Sequence, residues 1–284
     1  MYSIHSPAIT LTIAGSEATG GAGAQADLRT FQELGTYGAA ALTCIVAFDP
    51  NDDWNHRLTR IAPEVLEQQL EAVQANFAGQ LDTVKLGMMG SVETIDVVAT
   101  ALKSQEWQNI VLDPVLICKG QEPGAAQDTD EALKADLLPL ATVTTPNHFE
   151  AEQLSGMSIT NLAELKDAAR KIHDDFGVAV LAKGGIRIDG PEAVDVFYDG
   201  TSLEVLAVPK IGNHAVSGAG CSLAAAVAAE LSKGRTALEA AERAKDFVTA
   251  GINQRMEAAT PYDLMWQGGL RRIPQPRQQV ATHA

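Results

Sequence analysis

The chain has 284 residues, 46% of them apolar and 20% charged, with a formal net charge of −15. That length suits one large α/β domain or two modest ones, each able to bury a core. The acidic balance, with no run of lysines or arginines, excludes nucleic acid and anionic membrane surfaces as main partners, and no apolar run reaches the roughly 20 residues that cross a bilayer.

A polyanionic ligand would have to be held locally, by backbone amides, a lysine and a metal. The three cysteines, Cys44, Cys118 and Cys221, show no metal-type spacing. They indicate a reducing compartment rather than a disulfide framework. Residues 1–7 lack a basic segment followed by an apolar one, so a cytoplasmic protein is expected.

Residues 8–14 (AITLTIA) are a short β-rich apolar run stopped at Gly15, and read as a buried strand. A glycine-rich loop, 15–23, leads into a helix over 25–34 with Leu28, Phe31 and Leu34 at helical spacing. Residues 38–46 predict a second strand, and the polar stretch 51–61 a loop or an edge hairpin. Pro63 opens a helix that puts Val65, Leu66, Leu70 and Val73 on one face. Short strands follow at 83–86, 110–112 and 142–145, with helices over 92–102 and 131–138 between them. Residues 118–127, with two glycines, a proline and few apolar residues, have the composition of a mobile flap. A helix over 162–176 precedes a buried strand at 178–182. Asp199-Gly200 marks a hairpin between strands at 194–198 and 203–208. Two helices close the pattern, one from Ser222 and one over 237–255.

This alternation predicts a single α/β domain over residues 1–265, with a mainly parallel sheet covered on both faces. Residues 266–284, glutamine- and proline-rich from 271 on, are expected to form a loosely ordered tail. In such sheets ligands bind beyond the C-terminal strand ends. Gly15, Phe48, Met88, Asp113, Asn147, Lys183 and Gly218 all fall just after predicted strands, which points to one cleft.

Several of these positions carry chemistry. In Ser217-Gly218-Ala219-Gly220-Cys221-Ser222, two glycines beside a helix start leave N–H groups free for a phosphate or for growing negative charge. Cys221 stands at that terminus, where a thiol pKa tends to fall. A small-residue turn that lets a helix pack closely is the other reading. Residues 21–26 fit G-x-G-x-x-G/A only loosely, and no Walker A sequence occurs. Asp113 and Glu150, with Asn147, could hold Mg²⁺ on phosphates; equally, Asn147 and Glu150 are spaced as a helix cap. Lys183-Gly184-Gly185 puts a cation beside flexible backbone, as a phosphate site or a plain turn would.

Taken together, AGSEATGGAGAQADLRTFQELGTYG, KLGMMG, LDPVLICKG, TTPNHFEAEQLSGM, LAKGG and SGAGCS resemble the hydroxymethylpyrimidine-phosphate and pyridoxal kinase family, across residues 8–255 in unbroken order. That resemblance implies a ribokinase-like three-layer α/β/α fold. It also implies ATP-dependent phosphorylation of a hydroxymethyl group on a heteroaromatic ring, with Mg²⁺ and a homodimeric assembly. By position, Gly218, Ala219, Gly220 and Cys221 would form the anion hole, with Cys221 as general base. Asn147, Glu150, Lys183, Gly185 and Ser217 would serve ATP, and Asp113 and Glu150 the metal. Gly23, Asp27, Met88 and Val115 would line the ring pocket.

Two features bear on which ring. Pyrimidine-phosphorylating relatives carry glutamine at the position of Phe48. Against phenylalanine a pyrimidine amine would stay unpaired, at roughly 1–3 kcal/mol, so a B6-type pyridine fits better. Cys118 and the stretch AFDPNDDWNHRL resemble a bacterial pyridoxal kinase subgroup. In that subgroup a flap cysteine faces the substrate aldehyde, and His56 becomes a substrate contact. An inert thiol at a strand end is the alternative for Cys118. The sequence departs from the family just before the anion hole. Ala215-Val216-Ser217 replaces a Thr-His or Asn-His pair, and His214 lies three residues too early. Ser217 would then have to order the loop.

Overall fold

Nine residues, Ile9–Glu17, form the strand β1, buried almost throughout, as a β-branched run covered by helices on both faces should be. The computed structural model describes residues 6–116 and 127–272. Further strands are β2 (Tyr37–Phe48), β3 (His56–Arg60), β4 (Thr83–Leu86), β5 (Asn109–Leu112), β6 (Val143–Thr144), β7 (Ala179–Gly185), β8 (Glu192–Tyr198) and β9 (Leu203–Pro209). The helices are α1 (Gly23–Glu33), α2 (Pro63–Asn76), α3 (Val92–Lys103), α4 (Gln127–Ala132), α5 (His148–Ser155), α6 (Leu162–Phe176), α7 (Ala219–Ser232) and α8 (Ala237–Asn253).

The described strands make one sheet in the order β3-β2-β1-β4-β5-β6-β7-β8-β9. From β2 to β7 every pairing is parallel, while β3, β8 and β9 pair antiparallel at the two edges. Strand order reverses between β1 and β4, and a crevice opens at such a switch point beyond the strand ends. Alternate strand residues feed two cores. Leu11, Ile13, Val84, Leu86 and Leu112 pack with residues of α2, α3, α5 and α6. Val111, Val143, Leu181 and Phe197 pack with Phe31 of α1 and with α7 and α8. Those two helical layers and the sheet are the three layers.

The polar stretch at 51–61 resolves as the edge hairpin, with Phe48 opposite His56 in the β2–β3 register. The first strand does not stop at Gly15. A register shift between Ala14 and Ser16 absorbs it, and the strand runs on to Glu17. The helix predicted over 131–138 is instead the short α4, a π turn at Leu133–Leu137 and a 3₁₀ turn at Leu138–Leu140. Pro139 removes the N–H that a continuing α-helix would need.

The start of the predicted tail is also corrected. Gln267 and Gly269 are buried, the Arg271 Nε donates to Glu33 at 2.8 Å, and the Arg272 guanidinium lies 4.5 Å from the Trp266 ring centre. Residues 266–272 thus pack on α1 and α8 because Trp266 and Gln267 supply the anchors that the composition of 271–284 lacks. The remaining tail, 273–284, lies outside the described residues.

Candidate active site

Helix α7 is buried on all sides from Ser222 to Leu231, which small alanines permit by letting neighbours approach closely. Its cap, Gly218, has φ 80, and a Cβ there would run into the carbonyl oxygen of Gly21. Only glycine fits. Helix geometry leaves the N–H groups of Gly220 and Cys221 without an intrahelical partner. The next one, of Ser222, donates to the Gly218 carbonyl at 2.9 Å.

Backbone from the C-terminal segment fixes this turn on both flanks. The Ser217 N–H donates to the Asp263 carbonyl at 2.8 Å, and the Met265 N–H to the Ser217 carbonyl at 3.0 Å. Beyond the turn, the Gln267 amide donates to the Ser222 hydroxyl at 3.1 Å. His214 is exposed, so Ser217 does order the approach to α7, through its main chain.

The glycine loop of 18–23 lies over this turn and holds an anion of its own. The Glu17 carboxylate accepts from the N–H groups of Thr19 (2.6 Å), Gly21 (2.9 Å) and Ala22 (3.3 Å). With those donors occupied, the loose dinucleotide-type pattern at 21–26 has no phosphate cradle. Gly23, at φ 62, lies against the carbonyl of Gly15, and its N–H is directed to the Cys221 sulfur.

Two buried ion pairs stand between this turn and the strand ends. Thr12 on β1 and Lys85 on β4 are register partners. Both donate to Asp27 Oδ2 of α1, at 2.6 and 2.9 Å. Asp27 and Lys85 side chains have 0% exposure, while Asp27 Oδ1 is buried and has no partner. Burial disfavours the Lys85 ammonium, but Asp27, Cys221 and Asp113 together outweigh it and raise the lysine pKa. In the second pair Lys183 of β7 donates to Asp113 Oδ1 at 3.0 Å, and the Thr145 hydroxyl adds a 3.3 Å bond. Burial opposes ionisation of Asp113, yet Lys183 and Lys85 hold its pKa below the usual carboxylate value. The Lys183 Nζ reaches Gly220, 3.4 Å from where a Cβ would sit.

Cys221 is half-buried. Burial pushes its thiol pKa up, against the pull of Lys85 and the Gly23 N–H. The depressed thiol pKa expected of a helix terminus is therefore corrected. Desolvation is the largest influence, and the nearby Asp113 and Asp27 carboxylates add to it.

Asn147 and Glu150 form the helix cap that their spacing allows. Asn147 Oδ1 accepts from the Glu150 N–H at 3.0 Å, and Glu150 Oε2 from the Asn147 N–H at 2.7 Å. Glu150 is buried near Asp113, and burial with that carboxylate pushes its pKa to about 8, against the pull of Lys183. At the β2–β3 hairpin, Phe48 and His56 pack with centroids 4.8 Å apart. With Trp54 and Tyr262 they line a cavity of about 170 Å³. Met88 is half-buried, its sulfur 3.6 Å from the Cys44 Sγ, and half-buried Val115 follows Asp113. Gly185 ends β7 at φ 50. Cys118 and the flap around it lie outside the described residues.

The sequence profile of the phosphomethylpyrimidine kinase family matches residues 17–264. The chain belongs to that family. It is 44% identical over 245 residues to the pyridoxine kinase of Bacillus subtilis, spanning 86% of this chain and 90% of the relative. The structure of Bacillus subtilis pyridoxal kinase with ADP superimposes with a TM-score of 0.89 at 42% identity, covering 94% of this chain and all of the other. The Staphylococcus aureus pyridoxal kinase in complex with AMP-PCP and pyridoxal gives 0.86 at 38% identity, covering 95% and 96%. The fold is ribokinase-like, as the motifs imply. Among the described residues no helix is long and apolar enough to cross a membrane.

Sequence reasoning passed over Glu17, Thr12 and Lys85. A lysine inside the four-residue strand TVKL, and an aspartate on the buried side of α1, were the available signal, since each needs a partner when buried. Asp113 and Glu150 are the two buried carboxylates at the strand ends that could hold a metal. No group of three or more His, Cys, Asp or Glu suited to a metal occurs among the described residues. That set fits Mg²⁺, which keeps several waters and takes one or two carboxylates plus phosphate oxygens.

Proposed function

We propose that this protein is an ATP-dependent kinase of B6 vitamers, transferring the γ-phosphoryl group to the 5-hydroxymethyl group of pyridoxal, pyridoxine or pyridoxamine. The observation that carries this reading is the Gly218-to-Cys221 turn. It offers helix-terminal N–H donors beside Lys183, which lies near the end of β7, a strand of the parallel sheet. Phosphoryl transfer asks mainly for positioning and for stabilisation of charge on the equatorial oxygens.

In this reading the turn of Gly218, Ala219, Gly220 and Cys221 receives the transferring group, chiefly through the N–H groups of Gly220 and Cys221, and Lys183 neutralises phosphate charge. Asn147, Glu150, Gly185 and Ser217 shape the nucleotide end. Asp113 and Glu150 would hold Mg²⁺, largely through water, and the ion would supply further charge neutralisation on the phosphates. Cys221 takes the proton from the vitamin hydroxyl as its thiolate, the alkoxide oxygen attacks phosphorus, and ADP leaves with the bond it breaks. Gly23, Met88 and Val115 line the ring pocket, and the buried Asp27, paired with Lys85, backs it. A cytoplasmic homodimer completes the reading.

Phe48 supports pyridine over pyrimidine, since its ring, packed on His56, offers no hydrogen bond to an exocyclic amine. The family's own description favours the pyrimidine as the second reading. ADP release measured side by side with pyridoxal and hydroxymethylpyrimidine decides between them. The expected kcat/KM favours pyridoxal by about ten-fold or more, given about 1.4 kcal/mol per decade and one unpaired amine. A higher value for the pyrimidine overturns the Phe48 assignment, and no ADP release with either overturns the kinase reading.

A further inference from the structure

The turn that carries Lys183 and Gly185 is held by a buried ion pair that takes no part in the reaction described above. Lys183 pairs with Asp195 in the β7–β8 register, but the next pairing skips to Gly185 opposite Val194. The chain therefore bulges between them, at Gly184. A Cβ on Gly184 would meet the Val194 carbonyl at 2.6 Å and Leu165 Cδ2 at 2.7 Å, so the bulge is pressed against β8 and α6. Past it the chain turns at Gly185, whose φ of 50 is in the left-handed region.

A bulge leaves a backbone donor without its ladder partner, and here a side chain takes that donor. Asp195 Oδ1 accepts the Gly185 N–H at 3.1 Å. Its other oxygen, Oδ2, accepts from Lys245 Nζ of α8 at 2.6 Å. Asp195 and Lys245 are both buried. A buried ion pair is poor evidence for stability, because desolvation cancels most of the attraction, and fixing one geometry is its better-attested use. The geometry fixed here is the end of β7. The main chain of Lys183 is tied to the neighbouring strand end by its N–H to the Pro146 carbonyl at 2.8 Å, and its ammonium reaches Asp113 and the α7 turn. The peptide after it is tied to Asp195.

We propose that Asp195 and Lys245 are positioning residues for the nucleotide end of the site. Asp195 supplies the acceptor that shapes the Gly185 turn, and Lys245 holds that carboxylate in place. This rests on assigning Lys183 and Gly185 to the nucleotide.

Two double variants of the full chain isolate the acceptor. Asp195→Asn with Lys245→Met keeps an oxygen for the Gly185 N–H, and Asp195→Leu with Lys245→Met removes it. Neither leaves an unpaired buried charge. ADP titration by calorimetry should give the Asn variant an affinity within about three-fold of the parent, and the Leu variant one weaker by about ten-fold or more. The KM for pyridoxal should stay within about two-fold in both, because the ring pocket is on other elements. Equal ADP affinities in the two variants, or KM values for ATP and vitamin rising together, overturn the inference.

Should the Leu variant fail to fold, Asp195→Ala with Lys245→Met also removes the acceptor, with ADP affinity weaker by about ten-fold expected and affinity within about three-fold of the parent overturning the inference. Hydrogen exchange of the parent protein separates the two assignments. ADP should slow exchange at residues 183–185, and its failure to do so removes the nucleotide assignment itself, whatever the variants show.

Discussion

Cys221 carries opposed influences, burial that disfavours the thiolate and the Lys85 ammonium and Gly23 N–H that favour it, and its thiol pKa is raised. The free enzyme at neutral pH therefore holds mostly the thiol, and the reactive thiolate fraction grows with pH. Turnover should still be climbing at about pH 8.5, where an ordinary thiol is half ionised. Cys221→Ala should lower kcat by about 10²–10⁴-fold, the usual weight of a general base, and abolish that alkaline rise. A flat profile in the parent, or an unchanged kcat in the variant, removes the thiol from the mechanism. Its neighbour Lys85 is structural in the first instance. Lys85→Met strands the Asp27 carboxylate in the core and should cost about 3–5 kcal/mol by urea denaturation. Asp27→Asn with Lys85→Met should recover most of that loss, since the amide still accepts from Thr12; equal losses would show that packing, not charge, decides. Asp27 was legible in the sequence as a position of the family motif, but its partner was not, because a lysine in a short strand looks the same whether buried or solvated.

Among the elements, α7 shows how much a glycine can mean. Gly177 and Gly218 are both left-handed, at φ 71 and 80, yet nothing lies within 4 Å of a Cβ at Gly177 while Gly218 lies against the Gly21 carbonyl. Gly177→Ala should cost about 1 kcal/mol of conformational strain. Gly218→Ala must in addition push the glycine loop off the turn, and should lower kcat by about 10²-fold or more as the donor N–H groups shift. Thermal melts and steady-state kinetics on the pair test this, and equal effects on kcat would contradict it. The alternating strands and helices were readable from periodicity because each is a buried apolar run of the right length. The packed segment 263–272 was not, since pairing with Ser217 and Ser222 is a long-range event that leaves no local pattern. Glu17 escaped notice for a similar reason, as it follows a glycine that looked like the end of a strand.

Across the whole molecule, one uninterrupted sheet brings strand ends from residues 15 to 185 to the same edge as the α7 terminus. Six short motifs that are ambiguous one by one become specific together because the parallel topology gathers them there. This also explains why Phe48 and His56 are legible in the sequence while the support of the β7 end is not. The first pair lines a cavity, whereas Asp195 and Lys245 meet buried between β8 and α8. The account stands on phosphoryl transfer over the first turn of α7. A crystal structure of this protein with Mg²⁺ and the non-hydrolysable nucleotide AMP-PCP tests it most directly. The terminal phosphate is predicted within hydrogen-bonding distance of the backbone N–H groups of residues 218–221, with Lys183 on its other side; a terminal phosphate bound elsewhere, with that turn left in water, would contradict it.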